Sequence, residues 1–514
     1  MIEKYYDGAI EQVAAGLGTV EKNYLLVRYS GQFSVENLND TKQLEKNEDI
    51  FVQVHEFETG EITCAYEPYL TMICDGFRRY MTGTFEEFME TCDVYYLHRP
   101  VLLGYFNQDN TGREEIILLD EVAYEQERML AALERMLCAI ADRHPVLFVL
   151  NRFQLASKST MQLTARFLKC ENCNIGLVLG VSDIQAMPEF LVPDWEMLYE
   201  TLDDGSKIYH IGNSGRKKEE TIDDEKYVDY GSEKVYRKLQ NMVEFLDFDQ
   251  AAYYLETIER KIKFDNLLVD DAARFRMWLL FVKVSILRQD IPKALEICED
   301  LEKIHLAGKE EECAYEQDYL IATAYMYQGK LKEALEMAGE TYRIAGKMSD
   351  DYRMFLSELL EAKIQMSGWY NIFFCAQDVK IKESLIQNLI RYNYRNHLAH
   401  VYIYAYDNKP EIVKKANQSE ELLIYFSRGI RIAKKLGNEY LINMAYQKNI
   451  MLSSTNGMYE ISLLYSVRTY EALKDKRSIQ AGRIYSGIAY NLCAIGENER
   501  AMAYYRHRSE ERRV

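Results

Sequence analysis

Four short apolar runs punctuate the N-terminal part of the chain: YLLVRYS (24–30), IFVQVHEF (50–57), PVLFVL (145–150) and NIGLVLGV (174–181). Each is bounded by polar residues, and each is too short for a helix that packs on one face, so the pattern predicts buried strands. Between them the periodicity changes. In YEQERMLAALERMLCAIADR (124–143), Met129, Leu130, Leu133, Met136, Leu137 and Ile140 recur at helical spacing on one face. Strands alternating with helices predict a parallel, three-layer α/β domain over residues 1–211. A polar stretch follows, Gly212-Asn213-Ser214-Gly215 and then RKKEETIDDEKYVD, which reads as a linker over 212–231. From 232 to 514 the pattern is helical almost throughout, so the fold is expected to be mostly α overall.

The helical part repeats itself. Ala322, Tyr325, Gly329, Ala334 and Ala338 recur at the same spacing as Ala489, Leu492, Gly496, Ala501 and Tyr505. A weaker copy runs from Val282 to Cys298, with Ala294 at the small position and Gln289-Asp290 at the turn, and 429–446 reads as a junction between units. Small residues let paired helices approach, and glycine suits the turn, where a positive φ is useful. The spacing resembles the tetratricopeptide pattern and predicts an all-α superhelix. Ala294 and Ala334 stand 40 residues apart, against roughly 34 in the simple repeat, so the units are irregular, as in the longer helical-repeat arms of bacterial regulators. Such stacks present a concave surface to a partner. Taking Ala322 as the small position of a first helix places Tyr319, Thr323 and Met326 on that surface, and the same register from Ala489 adds Tyr490.

Composition narrows the function. The formal charge of −19 repels phosphate backbones, which disfavours direct nucleic-acid binding, and the short basic end at Arg506–Arg513 reads as a solvated terminus. No apolar run approaches the roughly 18 residues of a membrane span, and MIEKYYDGAIEQ has no apolar signal core. The ten cysteines form no dense framework and read as reduced thiols of a cytoplasmic protein. Cys170-Glu171-Asn172-Cys173 lacks the second ligand pair that zinc needs, and His397-x2-His400 lies in an aromatic, apolar setting that suits packed histidines. No nucleophile elbow or catalytic triad order is present.

The segment 129–168, MLAALERMLCAIADRHPVLFVLNRFQLASKSTMQLTARFL, resembles the second nucleotide motif of signal-transduction ATPases with numerous domains, in the class with helical-repeat arms. In that family a hydrophobic strand ends in two acidic residues, followed by an aromatic-containing turn, a hydroxyl pair and a helix. Here the strand is Val146–Leu150, the turn is Gln154-Leu155-Ala156-Ser157, and Ser159-Thr160 precede the helix. Phe51–Pro68, with Glu58 and Ala65-Tyr66-Glu67-Pro68-Tyr69, is similar to the family's second strand and its following segment. Asn174–Val181 is similar to the strand after the acidic motif. The resemblance implies a P-loop-NTPase-like first domain.

The departures decide what that domain can do. A phosphate loop needs glycines, a lysine for phosphate charge and a Ser or Thr for Mg²⁺. After the first strand this chain has YSGQFSVEN (29–37), with the single glycine Gly31, no lysine and an unfavourable Glu36. Asn151 and Arg152 stand where the resemblance puts the acidic pair. Gly31, Asn151 and Arg152 are therefore read as vestigial positions of a degenerate ATPase that binds no nucleotide, cofactor or metal and is not an enzyme. The winged-helix segment and the C-terminal DNA-reading helix-turn-helix of related regulators are not recognisable. The expected function is a regulator or adaptor, with a pseudo-ATPase platform that can self-associate and a repeat arm that binds a protein or peptide. Alternative readings are a nucleotide-dependent signalling or transcription-regulating ATPase with an altered site, and an intracellular peptide sensor.

Overall fold

The computed structural model describes residues 2–19, 23–29, 49–58, 61–109, 112–113, 115–118, 121–170, 172, 174–182, 187–202, 208–211, 229–265, 267–367, 383–404, 419–455, 457–472 and 479–511. They form two compact units. The first is Met1–Arg113 with Val122–Tyr327, and the second is Glu114–Glu121 with Gln328–Val514.

The first unit is built on a parallel sheet of β1 (Asn23–Tyr29), β2 (Phe51–Glu56), β3 (Val146–Asn151), β4 (Ile175–Ser182) and β5 (Ile208–Ile211), in the order β2-β3-β4-β1-β5. The apolar runs predict β1 to β4 to within a residue or two at each end. β5 was not expected from the pattern. Every residue of β3 and β4 is buried, as a central parallel strand covered on both faces requires.

The covering layers follow from the side-chain alternation. Helix Ile2–Gly16 lays Ala9, Ile10 and Val13 against Leu25, Val27, Leu147, Val149 and Val178 on one face. The approach is tight at Gly176, where a β-carbon would stand 2.8 Å from Val13 Cγ1. On the other face Tyr69, from helix Tyr69–Tyr80, packs its ring edge on Phe148 of β3 at 4.7 Å and meets Phe167 of helix Lys158–Lys169 at 5.2 Å. The amphipathic stretch expected at 124–143 is helix Val122–Ala141, and all six of its predicted face residues are buried.

The expected linker falls largely outside the described residues. The helices after it, Glu233–Glu244, Phe248–Phe264, Asp271–Leu287, Ile291–Leu301 and Glu310–Gln328, belong to the first unit through Tyr327. Polar bonds that periodicity does not reveal tie the first two of these helices to the sheet domain. Tyr254 Oη accepts from the Thr63 amide at 3.2 Å and donates to Glu61 O at 3.2 Å. Lys238 Nζ donates to Ile62 O at 2.7 Å. Asp247 serves two helices at once. Its Oδ1 accepts the Gln250 amide of its own helix at 3.4 Å, and its Oδ2 accepts the Ser159 amide of helix Lys158–Lys169 at 3.0 Å.

In the second unit, helices pack in series along the chain: Leu331–Met348 on Asp351–Ser367, then Glu383–Arg391, Arg395–Tyr404, Ser419–Leu436, Glu439–Thr455, Tyr459–Ala472, Ile479–Ala494 and Asn498–Glu511, each on the next. The predicted repeat register holds. Ala322, Ala334, Ala338, Ala489 and Ala501 are buried, and Gly329 and Gly496 adopt φ of +82° and +87°. The copy at 322–338 spans the boundary between the two units. Among the described residues no helix is long and apolar enough to cross a membrane.

Because Asp247 caps two helix N-termini, Asp247→Ala should lower unfolding stability by about 1–3 kcal/mol, measured by urea denaturation. A loss below about 0.5 kcal/mol would show that water replaces both bonds.

Candidate functional site

In a parallel sheet all the strand C-termini lie along one edge, and in open α/β folds ligands bind there. The register pairs Glu56 with Asn151 and Tyr29 with Ser182, so these four end residues share that edge. Their polar groups bind one another. Tyr29 Oη donates to Asn151 Oδ1 at 2.6 Å, and Asn151 Nδ2 donates to Glu56 Oε1 at 3.4 Å. Arg152 Nε lies 3.3 Å from the same Glu56 oxygen. Gln154 clamps the end of β4, donating to Ser182 O at 3.1 Å and accepting the Ser182 amide at 3.3 Å.

The charges are arranged to cancel. Asn151 is fully buried and neutral. Burial pushes the Tyr29 phenol up to about 12, so it remains a protonated donor. Glu56 contributes the carboxylate at this edge and shares it with Arg152. Arg152 itself sits in the left-handed region at φ +52° and ψ +42°, which turns the chain sharply after β3.

The hydroxyl pair that the sequence places next is also engaged in holding structure. Ser157 caps helix Lys158–Lys169, its Oγ accepting the Thr160 amide at 3.3 Å. Ser159 Oγ accepts the Tyr66 amide at 3.0 Å, and Thr160 Oγ1 donates to Glu67 O at 2.9 Å. Gln250 Oε1 accepts the Lys158 amide at 3.3 Å. With Asp247 on Ser159, the first-turn amides of this helix are paired from within the chain. Burial pushes the Asp247 carboxyl up, against the pull of its Ser159 bonds.

Of the vestigial positions, Asn151 and Arg152 come together at this edge, and Gly31 lies outside the described residues. Sequence reasoning missed Tyr29, Glu56 and Asp247. Tyr29 closes the first expected strand, and its aromatic ring there in place of a small residue was the available signal. Asp247 carried none beyond its position before a helix.

The proposed partner-binding positions do not share one exposed face. Tyr319, Thr323 and Met326 belong to the first unit and Tyr490 to the second. Met326 is buried at 8% exposure, whereas Tyr490 is 53% exposed. Tyr319 and Thr323 are half-buried, and Thr323 Oγ1 donates to Tyr319 O at 2.8 Å within its own helix. His397 is a buried helix histidine, as expected, and Cys170 faces Cys138 with 3.7 Å between the sulfurs. Cys173 lies outside the described residues. Among the described residues no group of three or more His, Cys, Asp or Glu is placed to hold a metal ion.

No protein-family model matches this chain, and no curated protein does. Among solved structures it is similar to a signal transduction ATPase with numerous domains that carries a tetratricopeptide repeat sensor, from Pyrococcus horikoshii. The match has 10% identity and a TM-score of 0.44, and covers 95% of this chain and 86% of that one.

Tyr29→Phe removes the donor from a buried acceptor and should cost about 1–3 kcal/mol, read from chemical denaturation. A neutral result would mean that Asn151 finds another donor. In the repeats, Met326→Ala should cost about 2–5 kcal/mol, while Tyr490→Ala should stay within about 0.5 kcal/mol. Equal losses in thermal melts would contradict the burial of one and the exposure of the other.

Proposed function

We propose that this protein is a non-catalytic regulator or adaptor, in which a degenerate ATPase domain is a structural platform and the helical repeats bind a protein or peptide partner. The observation that carries the reading is the edge formed by Tyr29, Glu56, Asn151 and Arg152. Phosphoryl transfer needs a metal held by carboxylates and a cradle of free amides. Here a buried neutral amide stands at the end of β3, and the nearby carboxylate is shared with a guanidinium. The sequence after β1 also lacks a lysine for phosphate charge. The buried small residues and positive-φ glycines of the repeat register support the second half of the reading, since stacks of this kind work through their surfaces. The described cysteines are free thiols, in keeping with a reducing, cytoplasmic setting.

Titration calorimetry with Mg-ATP and Mg-GTP tests the platform. No binding tighter than roughly the millimolar range, about 4 kcal/mol, is expected. Micromolar affinity, or phosphate release that disappears in Arg152→Ala, would overturn it in favour of a nucleotide-dependent regulator with an altered site.

A further inference from the structure

The second unit contains a piece of chain that is not contiguous with the rest of it. Residues Glu114–Glu121 lie between helices Arg99–Asn107 and Val122–Ala141 in sequence, yet they belong to the same compact unit as Gln328–Val514. The described residues of this piece sit among the helices as a bound peptide would.

Glu115 is 1% exposed and lies at the start of helix Arg395–Tyr404. Its Oε1 accepts the His397 amide at 2.7 Å and its Oε2 the Asn396 amide at 3.2 Å. His397 Nδ1 stands 2.6 Å from the same Oε1. First-turn amides have no partner within their own helix and favour an anion. Glu121, also 1% exposed, does the same kind of work one helix pair further on. Both its oxygens lie 3.1 Å from Asn438 Nδ2. Asn438 in turn caps helix Glu439–Thr455, its Oδ1 accepting the Leu441 amide at 3.0 Å. The Asn438 Nδ2 also reaches Asn396 Oδ1 at 3.0 Å, so one amide joins the two carboxylate sites. Between them Leu118 enters the apolar cluster of Phe355, Leu389, Tyr394 and Leu441.

The anchors are thus acid, apolar and acid, each three residues after the last, and they are recognised by side chains and helix ends. Recognition of this kind requires nothing of how the segment is joined to the rest of the chain.

We propose that the helical unit is a recognition module for an acidic, apolar peptide with two carboxylates six residues apart around a central leucine, and that Glu115, Leu118 and Glu121 fill this site in cis. A partner protein carrying a segment of the same chemistry takes the site by displacing it. The inference rests on the reading of the repeats as a binding arm and names what that arm binds. A tethered segment competes at an effective concentration on the order of millimolar, so weakening the cis anchors should open the site.

The test uses the full chain and a fluorescein-labelled synthetic peptide with the sequence of residues 113–122, followed by fluorescence anisotropy. The double variant Glu115→Gln/Glu121→Gln should bind the peptide at least tenfold more tightly than the unaltered chain. Adding Asn438→Ala should remove that gain, and a peptide in which the residues corresponding to Glu115 and Glu121 are glutamine should not compete. If the double variant loses its cooperative melt, Leu118→Ala, which keeps both carboxylates, carries the same comparison. Equal affinity for altered and unaltered chains overturns the proposal, as does loss of cooperative melting in both variants, which would make the segment a fixed part of the core. A partner protein that binds the unaltered chain and the Asn438→Ala chain equally well would leave the adaptor reading standing while removing this site from it.

Discussion

The hydrogen bond from Tyr29 to Asn151 closes the edge of the sheet at which an α/β domain ordinarily receives its ligand. Strand ends need partners for their polar groups, and in a catalytic domain substrate and metal supply many of them. Here the side chains supply one another. A protonated phenol meets a neutral amide, the amide meets a carboxylate, and that carboxylate meets a guanidinium. Once these groups are paired, the loops above the sheet can be fixed from inside the chain. Gln154 on Ser182 and Asp247 on Ser159 do this, so that this edge is braced by internal bonds.

Much of the fold was legible because it rests on local pattern. Four strands announced themselves as uninterrupted apolar runs, and the helix at Val122–Ala141 showed its buried face in its spacing. The repeat glycines Gly329 and Gly496 were legible for a similar reason, since a left-handed turn admits few other residues at low cost. Asn151 and Arg152 stood out in sequence because they end an apolar strand run, and they do lie at the strand-end edge. What the sequence hid was long-range pairing of ordinary polar residues. Nothing around Tyr254, Lys238 or Asp247 marks them as partners of Thr63, Ile62 and Ser159, yet these bonds tie the first helices after the expected linker to the sheet domain. Met326 misled because helical phase says which residues share a face but not whether that face is covered.

The two units use buried polar groups in the same way. Carboxylates are brought to helix N-termini from outside the helix, as Asp247 is to Ser159 in the first unit and Glu115 is to His397 in the second. A capping acid of this kind settles where a helix begins and also fixes the direction from which another segment approaches it. Stability and specificity come from the same bond, because removing the acid leaves unpaired amides in a dry setting.

The placement of Glu115 and Glu121 also imposes an order on synthesis and folding. Their partners lie 281 to 317 residues further along the chain. On the ribosome the segment emerges long before helices Arg395–Tyr404 and Glu439–Thr455 exist to receive it, so until then its glutamates lack these partners. Contacts of such separation are slow to form, and a chain that exposes apolar residues while waiting is open to wrong associations. Glu115 and Glu121, on either side of Ile116, Ile117 and Leu118, become the anchors once helices Arg395–Tyr404 and Glu439–Thr455 have been made.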